Sequence, residues 1–122
     1  MLILDANIIL RYLLNDNAAL ADKATEYVDR ADAFVTIEVI AEVVYVLKGV
    51  YSLDRPKIRD ILKAFLELVK CKHRNIIFTA LDLYGDRNLD FVDCVLYAYH
   101  KVENAEIATF DHKLQKAITH TN

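Results

Sequence analysis

The stretch Met1-Leu2-Ile3-Leu4-Asp5-Ala6-Asn7 opens the chain and decides how the rest of it can be interpreted. Apolar residues run directly into an aspartate with no turn residue between them, which is typical of a short buried strand that ends by presenting a carboxylate. An aspartate in this position is also a common helix cap. Whether Asp5 belongs to a functional site therefore depends on what the remaining chain brings to the same place.

The composition predicts one compact domain over residues 1–122. Apolar residues make up 55% of the chain, which has only 2 glycines and 1 proline, so core-forming material is ample and little favours disorder. No apolar run approaches the ~20 residues of a membrane helix, and no basic region precedes the first apolar stretch. We therefore expect a soluble, cytoplasmic protein with no membrane partner, in which Cys71 and Cys94 stay reduced.

Strand patterns and helix patterns alternate along the chain. Strands are predicted at 1–4, 33–36, 75–78 and 106–110. Helices, counted from the residues that introduce them, are predicted at 18–31, 37–50, 54–69, 79–87, 88–102 and 112–118. This alternation predicts an α/β fold with a central, mostly parallel sheet of four to five short strands flanked by helices.

Acidic residues occupy positions from which their side chains can converge. Asp5 and Asp111 directly follow predicted strands, and parallel strands place their carboxyl ends and their ligand sites at one edge of the sheet. Asp93 lies one turn into a helix, and Glu42 lies on the helix after the second strand. All four carboxylates can reach that edge.

Each of these acids also has a purely structural interpretation. Asp90 and Asp93 have the spacing of a capping box, and Asp111 can be the N-cap of the last helix. Glu42 is surrounded by apolar residues, which predicts that it is buried or nearly so, but it can equally be the solvated position of a packed helix. These alternatives stay open for each residue taken singly.

Taken together, clustered carboxylates point to a cation. Four like charges in one cleft repel each other and raise each other's pKa unless divalent cations are bound. Oxygen ligands suit Mg²⁺ or Mn²⁺, and the chemistry that such ions support is phosphoryl transfer. The net charge of −3 disfavours binding of nucleic acid by bulk positive charge, but not a nucleic-acid enzyme.

These residues resemble the PIN domain family, especially the VapC-type toxin ribonucleases of toxin–antitoxin pairs, over essentially the whole chain. The resemblance depends on Asp5-Ala6-Asn7 after an apolar strand, Ile40-Ala41-Glu42-Val43-Val44, Leu89-Asp90-Phe91-Val92-Asp93 and Thr109-Phe110-Asp111. One departure is Ala6, where many relatives have a Thr or Ser whose hydroxyl lies near the site.

The resemblance implies an endoribonuclease that uses Mg²⁺ or Mn²⁺, acts on RNA, forms a homodimer and is often blocked by a cognate antitoxin protein. It assigns Asp5, Glu42, Asp93 and Asp111 as the catalytic and metal-binding quartet. Asn7 and Thr109 become supporting residues, and Asp90 becomes a secondary acidic candidate.

Two other functions remain as alternatives. The first is a Mg²⁺-dependent phosphotransfer domain, either a haloacid-dehalogenase-like phosphatase or a response-regulator receiver. The phosphatase pattern requires a second aspartate where this chain has Asn7, and the receiver requires a lysine where Thr109-Phe110-Asp111 places an acid. The second is a non-catalytic PIN-like interaction module, which the complete quartet disfavours because unused clustered carboxylates reduce stability. Cys71 and the histidines lack the spacing of a zinc site.

Overall fold

The architecture is a small parallel sheet surrounded by helices, described over residues 1–120 of a computed structural model. These residues form three short strands and seven helices. In chain order they are β1 (Leu2–Ile3), α1 (Ala6–Leu14), α2 (Ala18–Val28), β2 (Ala33–Val35), α3 (Ile37–Gly49), α4 (Arg55–Phe65), β3 (Lys70–Cys71), α5 (Arg74–Asp86), α6 (Phe91–Glu103) and α7 (His112–Thr119). None of these helices is long and apolar enough to cross a membrane.

The sheet has the strand order β1-β2-β3, and both strand pairs are parallel. Ile3 pairs with Phe34, and Val35 pairs with Cys71. The Leu4 backbone amide extends the first pairing by donating to the Phe34 carbonyl at 2.9 Å. The predicted α/β class and parallel sheet are confirmed, although the described residues form three strands rather than the four to five expected.

The predicted strand at 75–78 is wrong, because these residues form the beginning of α5. The buried side chains of this helix include Ile76, Ile77, Ala80, Leu81 and Tyr84, a spacing that makes one continuous helical face. A short apolar run such as Ile76-Ile77 does not by itself distinguish a strand from a buried helix. The third strand lies earlier instead, within the basic segment 70–74.

The predicted strand at 106–110 also differs from the structure. Half-buried and exposed residues alternate along this segment, as they do in a strand. However, no strand is formed there within residues 1–120, because the segment has no backbone hydrogen bonds to the sheet in that part of the chain. The segment therefore reaches Asp111 without joining the sheet.

Side-chain caps fix where several helices begin. Asp5, Asn17, Thr36, Asp54 and Asp111 each accept a backbone amide at the start of the helix that follows. The capped helices then pack their apolar faces into one core. Two of the acids that the sequence singles out, Asp5 and Asp111, thus have defined structural positions.

Candidate active site

Asp5 lies just beyond β1 and caps α1. Its Oδ1 accepts a hydrogen bond of 2.8 Å from the Ala6 amide, and its backbone carbonyl accepts bonds from the amides of Ile8 and Ile9. The side chain is exposed, and Oδ2 makes no hydrogen bond to any other group of residues 1–120. The cap therefore orients the carboxylate and leaves one oxygen available.

Asp111 has the same kind of position at the start of α7, which confirms its interpretation as an N-cap. Its Oδ1 accepts a bond of 2.8 Å from the Leu114 amide. The Thr109 hydroxyl accepts the Asp111 amide at 3.0 Å, and the Thr109 carbonyl accepts a bond of 2.7 Å from Gln115 Nε2. Thr109 thus holds the backbone that carries Asp111.

Asp90 and Asp93 lie at the amino end of α6 without acting as caps. The Asp90 carbonyl accepts the Cys94 amide at 3.0 Å, but its side chain makes no capping hydrogen bond. The capping-box interpretation of this pair is therefore wrong, since such a box relies on the longer Glu or Gln at its second position. Within the described chain, neither carboxylate has a hydrogen-bond or ion-pair partner. Both lie at the helix end whose dipole stabilises negative charge.

Two cavities share Asp90 and Asp93 as part of their walls. The smaller has a volume of about 340 Å³ and also borders on Asn88, Asp111 and Lys113. The larger has a volume of about 640 Å³ and includes Glu42 in its wall. The fold therefore brings Asp93, Asp90 and Asp111 around one cavity and places Glu42 on the neighbouring one.

Asp93 is the acid of this group whose environment disfavours its charge. Partial burial raises the pKa of Asp93 above its ordinary value, and the charges of Asp111 and Asp90 raise this pKa further. Carboxylates that repel in this way favour either protonation or a bound cation. A cation beside Asp93 would therefore stabilise its ionised form.

Glu42 differs from its predicted burial, because its side chain is exposed. The buried face of α3 consists of Ile40, Val43, Val44 and Leu47, which follow the helical spacing of one stripe. Glu42 falls outside this stripe and lies at the edge of the larger cavity. The interpretation of Glu42 as a solvated position is thus the correct one.

Asp5 and Asn7 lie at the beginning of α1. Neither residue borders on either of the two cavities. Asn7 is exposed on the first turn of α1, and Ala6 between them is buried in the core. The two cavities therefore group Asp93, Asp90 and Asp111, while the place of Asp5 beside these acids stays a prediction.

The residues of the acidic group suit a hard divalent cation in their chemistry. Carboxylate oxygens are the ligands that Mg²⁺ and Mn²⁺ prefer, and a cation would relieve the repulsion that raises the pKa of Asp93. Within residues 1–120, no three His, Cys, Asp or Glu side chains are gathered closely enough to hold a metal ion. The carboxylates would have to move together around the ion.

The positive and aromatic residues of the larger cavity were not predicted from the sequence. Tyr45, Lys48 and Arg55 lie in its wall together with Glu42. The helical spacing of Glu42, Tyr45 and Lys48 on one side of α3 was the available signal. Arg55 carries no comparable signal, because its position beside a helix cap is ordinary for a solvated residue.

The two cysteines belong to the core and its edge rather than to this site. Cys71 and Cys94 are free thiols. Burial raises the pKa of Cys94 to about 12, so its thiol stays protonated at neutral pH. Its Sγ lies 3.7 Å from the Leu89 carbonyl, which it can reach as a weak donor.

The chain has a parallel sheet flanked by helices, with carboxylates beyond a strand end and at the amino ends of two helices. This architecture is that of an α/β protein with an acidic cleft. Comparison with protein families identifies the family: the PIN domain profile matches residues 2–118. The chain therefore belongs to the PIN domain family, whose members are typically metal-dependent nucleases. A comparison with curated proteins gave no match, and neither did a comparison with solved structures.

Proposed function

We propose that this PIN domain is a metal-dependent endoribonuclease that hydrolyses RNA phosphodiester bonds with Mg²⁺ or Mn²⁺. The observation that carries the proposal is the unfavourable environment of the Asp93 carboxylate. Its carboxylate has no partner in the described chain, and its pKa is raised by burial and by Asp111 and Asp90. An acid held in an unfavourable environment at a cavity is more often functional than structural.

Asp93 and Asp111 would be the central metal ligands. Asp111 is already oriented by the Leu114 amide through Oδ1, which leaves Oδ2 for a ligand. Asp93 is fixed by its position on the first turn of α6. When bound, the cation supplies Lewis acidity at the phosphate and lowers the pKa of a water.

Asp5 and Glu42 would complete the quartet from the two sides. Asp5 presents its free oxygen beyond the end of β1, and Glu42 presents an exposed carboxylate from α3. Asn7 and Thr109 would support Asp5 and Asp111, and Asp90 would contribute an additional negative charge beside Asp93. The match to the PIN domain family argues against the two phosphotransfer alternatives, because phosphatases and receivers of those types belong to other families.

The test is an RNA-cleavage assay with and without added Mg²⁺ or Mn²⁺. Cleavage by the unmodified protein should require the cation, and Asp5→Asn or Asp93→Asn should abolish it without unfolding the domain. Asp54→Asn is the matched control, because Asp54 caps α4 through the Lys57 amide and borders on neither cavity. Full metal-dependent activity of the Asp5→Asn protein would remove Asp5 from the quartet.

We further propose that the enzyme is a cytoplasmic toxin with a cognate antitoxin protein. This role rests on the resemblance of its four acidic motifs to those of VapC-type toxins. Expression of the unmodified protein should arrest growth, and the Asp93→Asn protein should not. The absence of growth arrest, together with the absence of a small partner gene beside it, would count against the toxin role while leaving the nuclease proposal intact.

One observation favours a second candidate, a non-catalytic interaction module. The acids are not gathered into a metal-holding arrangement within residues 1–120. The melting temperature of such a module should be the same with and without divalent cations. The cleavage assay separates the two functions, since the module would leave RNA intact at every cation concentration.

A further inference from the structure

The larger cavity has a composition unlike that of the acidic group it adjoins. Its wall combines apolar side chains from α3 and α6, among them Ala41, Val44, Tyr45, Phe91 and Val92. We call this cavity the Tyr45 cleft. Its volume of about 640 Å³ lies within the range of about 300–1,000 Å³ that is usual for ligand sites.

Two large apolar side chains of the Tyr45 cleft are open to solvent. Tyr45 is 77% exposed on α3, and Val92 is 59% exposed on α6. Two carboxylates, Glu42 and Asp93, border on the same cleft. An exposed aromatic ring beside a concave apolar wall is suited to stacking with another planar group.

The cations of the Tyr45 cleft are available to an anion. Lys48 and Arg55 lie in its wall, and neither has a carboxylate within ion-pair distance among the described residues. The Arg55 guanidinium lies 4.2 Å from the centre of the Tyr84 ring and is held by backbone carbonyls. Its positive charge is therefore fixed in place without being neutralised by an acid.

The Tyr45 cleft is also continuous with the proposed catalytic acids. Asp90 and Asp93 belong to its wall and to that of the smaller cavity, which contains Asp111. A ligand that extends along both cavities would pass from a region of aromatic and cationic groups to a region of carboxylates. Single-stranded RNA has matching parts, because each nucleotide joins a planar base to a phosphate.

We propose that the Tyr45 cleft binds a nucleotide of single-stranded RNA beside the phosphate to be cleaved, with its base stacked on Tyr45. Val92 and Phe91 line the apolar wall, and Lys48 and Arg55 attract the adjoining backbone phosphate. This inference rests on the proposed function, since it places the base next to the catalytic acids. Binding of the base, however, can be measured without any cleavage.

The absence of tryptophan from the chain permits a direct test. Tyr45→Trp introduces a single tryptophan at the proposed stacking position. Leu20→Trp is the matched control, because Leu20 is 50% exposed on α2 and does not border on the cleft. Each protein is titrated with single-stranded oligouridylate in metal-free buffer of low ionic strength, where the strand stays intact.

Oligouridylate should quench the tryptophan emission of the Tyr45→Trp protein and leave that of the Leu20→Trp protein unchanged. The duplex of the same strand with oligoadenylate should quench much less, because its bases are already paired and stacked. Equal quenching in both proteins, or equal quenching by the duplex, would overturn the proposal. A change in emission with protein concentration alone, accompanied by a larger particle in sedimentation, would assign the face to a second copy of this chain and overturn it as well.

A second measurement uses the binding constant of fluorescently labelled oligouridylate. Tyr45→Ala should weaken binding about tenfold, and Tyr45→Phe, which keeps the ring, should restore it. Leu20→Ala should bind as the unmodified protein does. Quenching without RNA cleavage would support base binding in the Tyr45 cleft and would contradict the nuclease proposal. Metal-dependent cleavage together with unchanged RNA binding by Tyr45→Ala would overturn only the proposal for the Tyr45 cleft.

Discussion

The ionised carboxylate of Asp93 should reduce the stability of the folded protein at neutral pH. Burial, Asp111 and Asp90 together raise its pKa in the folded protein, so the folded protein holds this proton more tightly than the unfolded chain does. The resulting loss of stability is fully present above the folded pKa. This loss disappears as the pH falls from the pKa of Asp93 in the folded protein to its pKa in the unfolded chain.

Asp93→Asn should therefore stabilise the metal-free domain while it abolishes cleavage. The neutral amide removes the repulsion with Asp90 and Asp111, and we expect the melting temperature at neutral pH to rise by about 1–3 °C. Thermal unfolding in EDTA measures this change. The gain should shrink as the pH is lowered through the folded pKa of Asp93, because the unmodified side chain then becomes neutral too.

The control for this prediction is Asp22→Asn, since Asp22 is exposed on α2 and borders on neither cavity. Its melting temperature should stay close to that of the unmodified protein at every pH. A lower melting temperature for Asp93→Asn at neutral pH would contradict the electrostatic account of this residue.

Asp111 combines the role of a helix cap with that of a proposed ligand, and two substitutions separate these roles. Asp111→Asn keeps an oxygen for the Leu114 amide, so the stability should be nearly unchanged while cleavage is lost. Asp111→Ala removes the cap as well and should lower the free energy of unfolding by about 1 kcal/mol. Urea unfolding measures the difference.

Asp54→Ala is the comparison for Asp111→Ala. It removes the cap of α4 and should reduce stability by a similar amount of about 1 kcal/mol, but it should leave metal-dependent cleavage intact. Loss of cleavage in Asp54→Ala would mean that instability, rather than loss of a ligand, explains the inactive variants.

Among the elements, the loop before α6 is joined to α4 by the side chain of Arg55. Arg55 Nη1 donates to the carbonyls of Tyr84, Arg87 and Leu89 at 3.2, 2.7 and 2.7 Å. These bonds join α4 to the end of α5 and to the segment that leads to Asp90. The position of the amino end of α6, and hence of its acids, follows from this connection.

Arg55→Met should destabilise the domain by about 2–4 kcal/mol, because it removes the charged donor of three carbonyls, two of them in partly buried hydrogen bonds. Denaturant unfolding measures the loss. Lys57→Met is the matched control, since Lys57 is exposed on the same helix and has no ion pair in the described part of the chain; its stability should change by less than about 0.5 kcal/mol. Equal effects of the two substitutions would show that Arg55 does not hold the loop.

The elements also indicate what the sequence could and could not predict. Helix positions with strong caps, such as Asp54 and Asp111, were predictable because a cap is local chemistry. Ile76-Ile77 and the segment 106–110 were not, because a short run becomes a strand only if the sheet offers it a partner. Likewise the acids were recognisable by spacing, whereas the exposure of Glu42 depends on which face of α3 is packed.

For the whole molecule, the arrangement of charge explains how a chain with a net charge of −3 could act on RNA. The negative charge of the proposed site is concentrated on Asp90, Asp93 and Asp111, where a divalent cation would reverse its effect on a phosphate. Lys48 and Arg55 supply positive charge on the adjoining cleft. RNA would thus be attracted locally rather than by the net charge.

The assembly state is the last prediction, and it concerns apolar surface outside the Tyr45 cleft. Phe110 is 98% exposed and Val50 69%, and large exposed apolar side chains are typical of surfaces that pack against another protein. Together with the resemblance to a dimeric family, they lead us to expect a homodimer. Sedimentation at micromolar protein concentration should give the mass of two chains.

Phe110 is the first residue to test in that dimer, because its ring is almost fully exposed beside Asp111. Phe110→Ser should shift sedimentation towards the monomer, while Leu68→Ser, which removes a comparable exposed side chain elsewhere, should not. If the dimer persists in Phe110→Ser and dissociates in Leu68→Ser, the interface contains Leu68 rather than Phe110. If the unmodified protein sediments as a monomer at this concentration, the prediction of a homodimer is wrong.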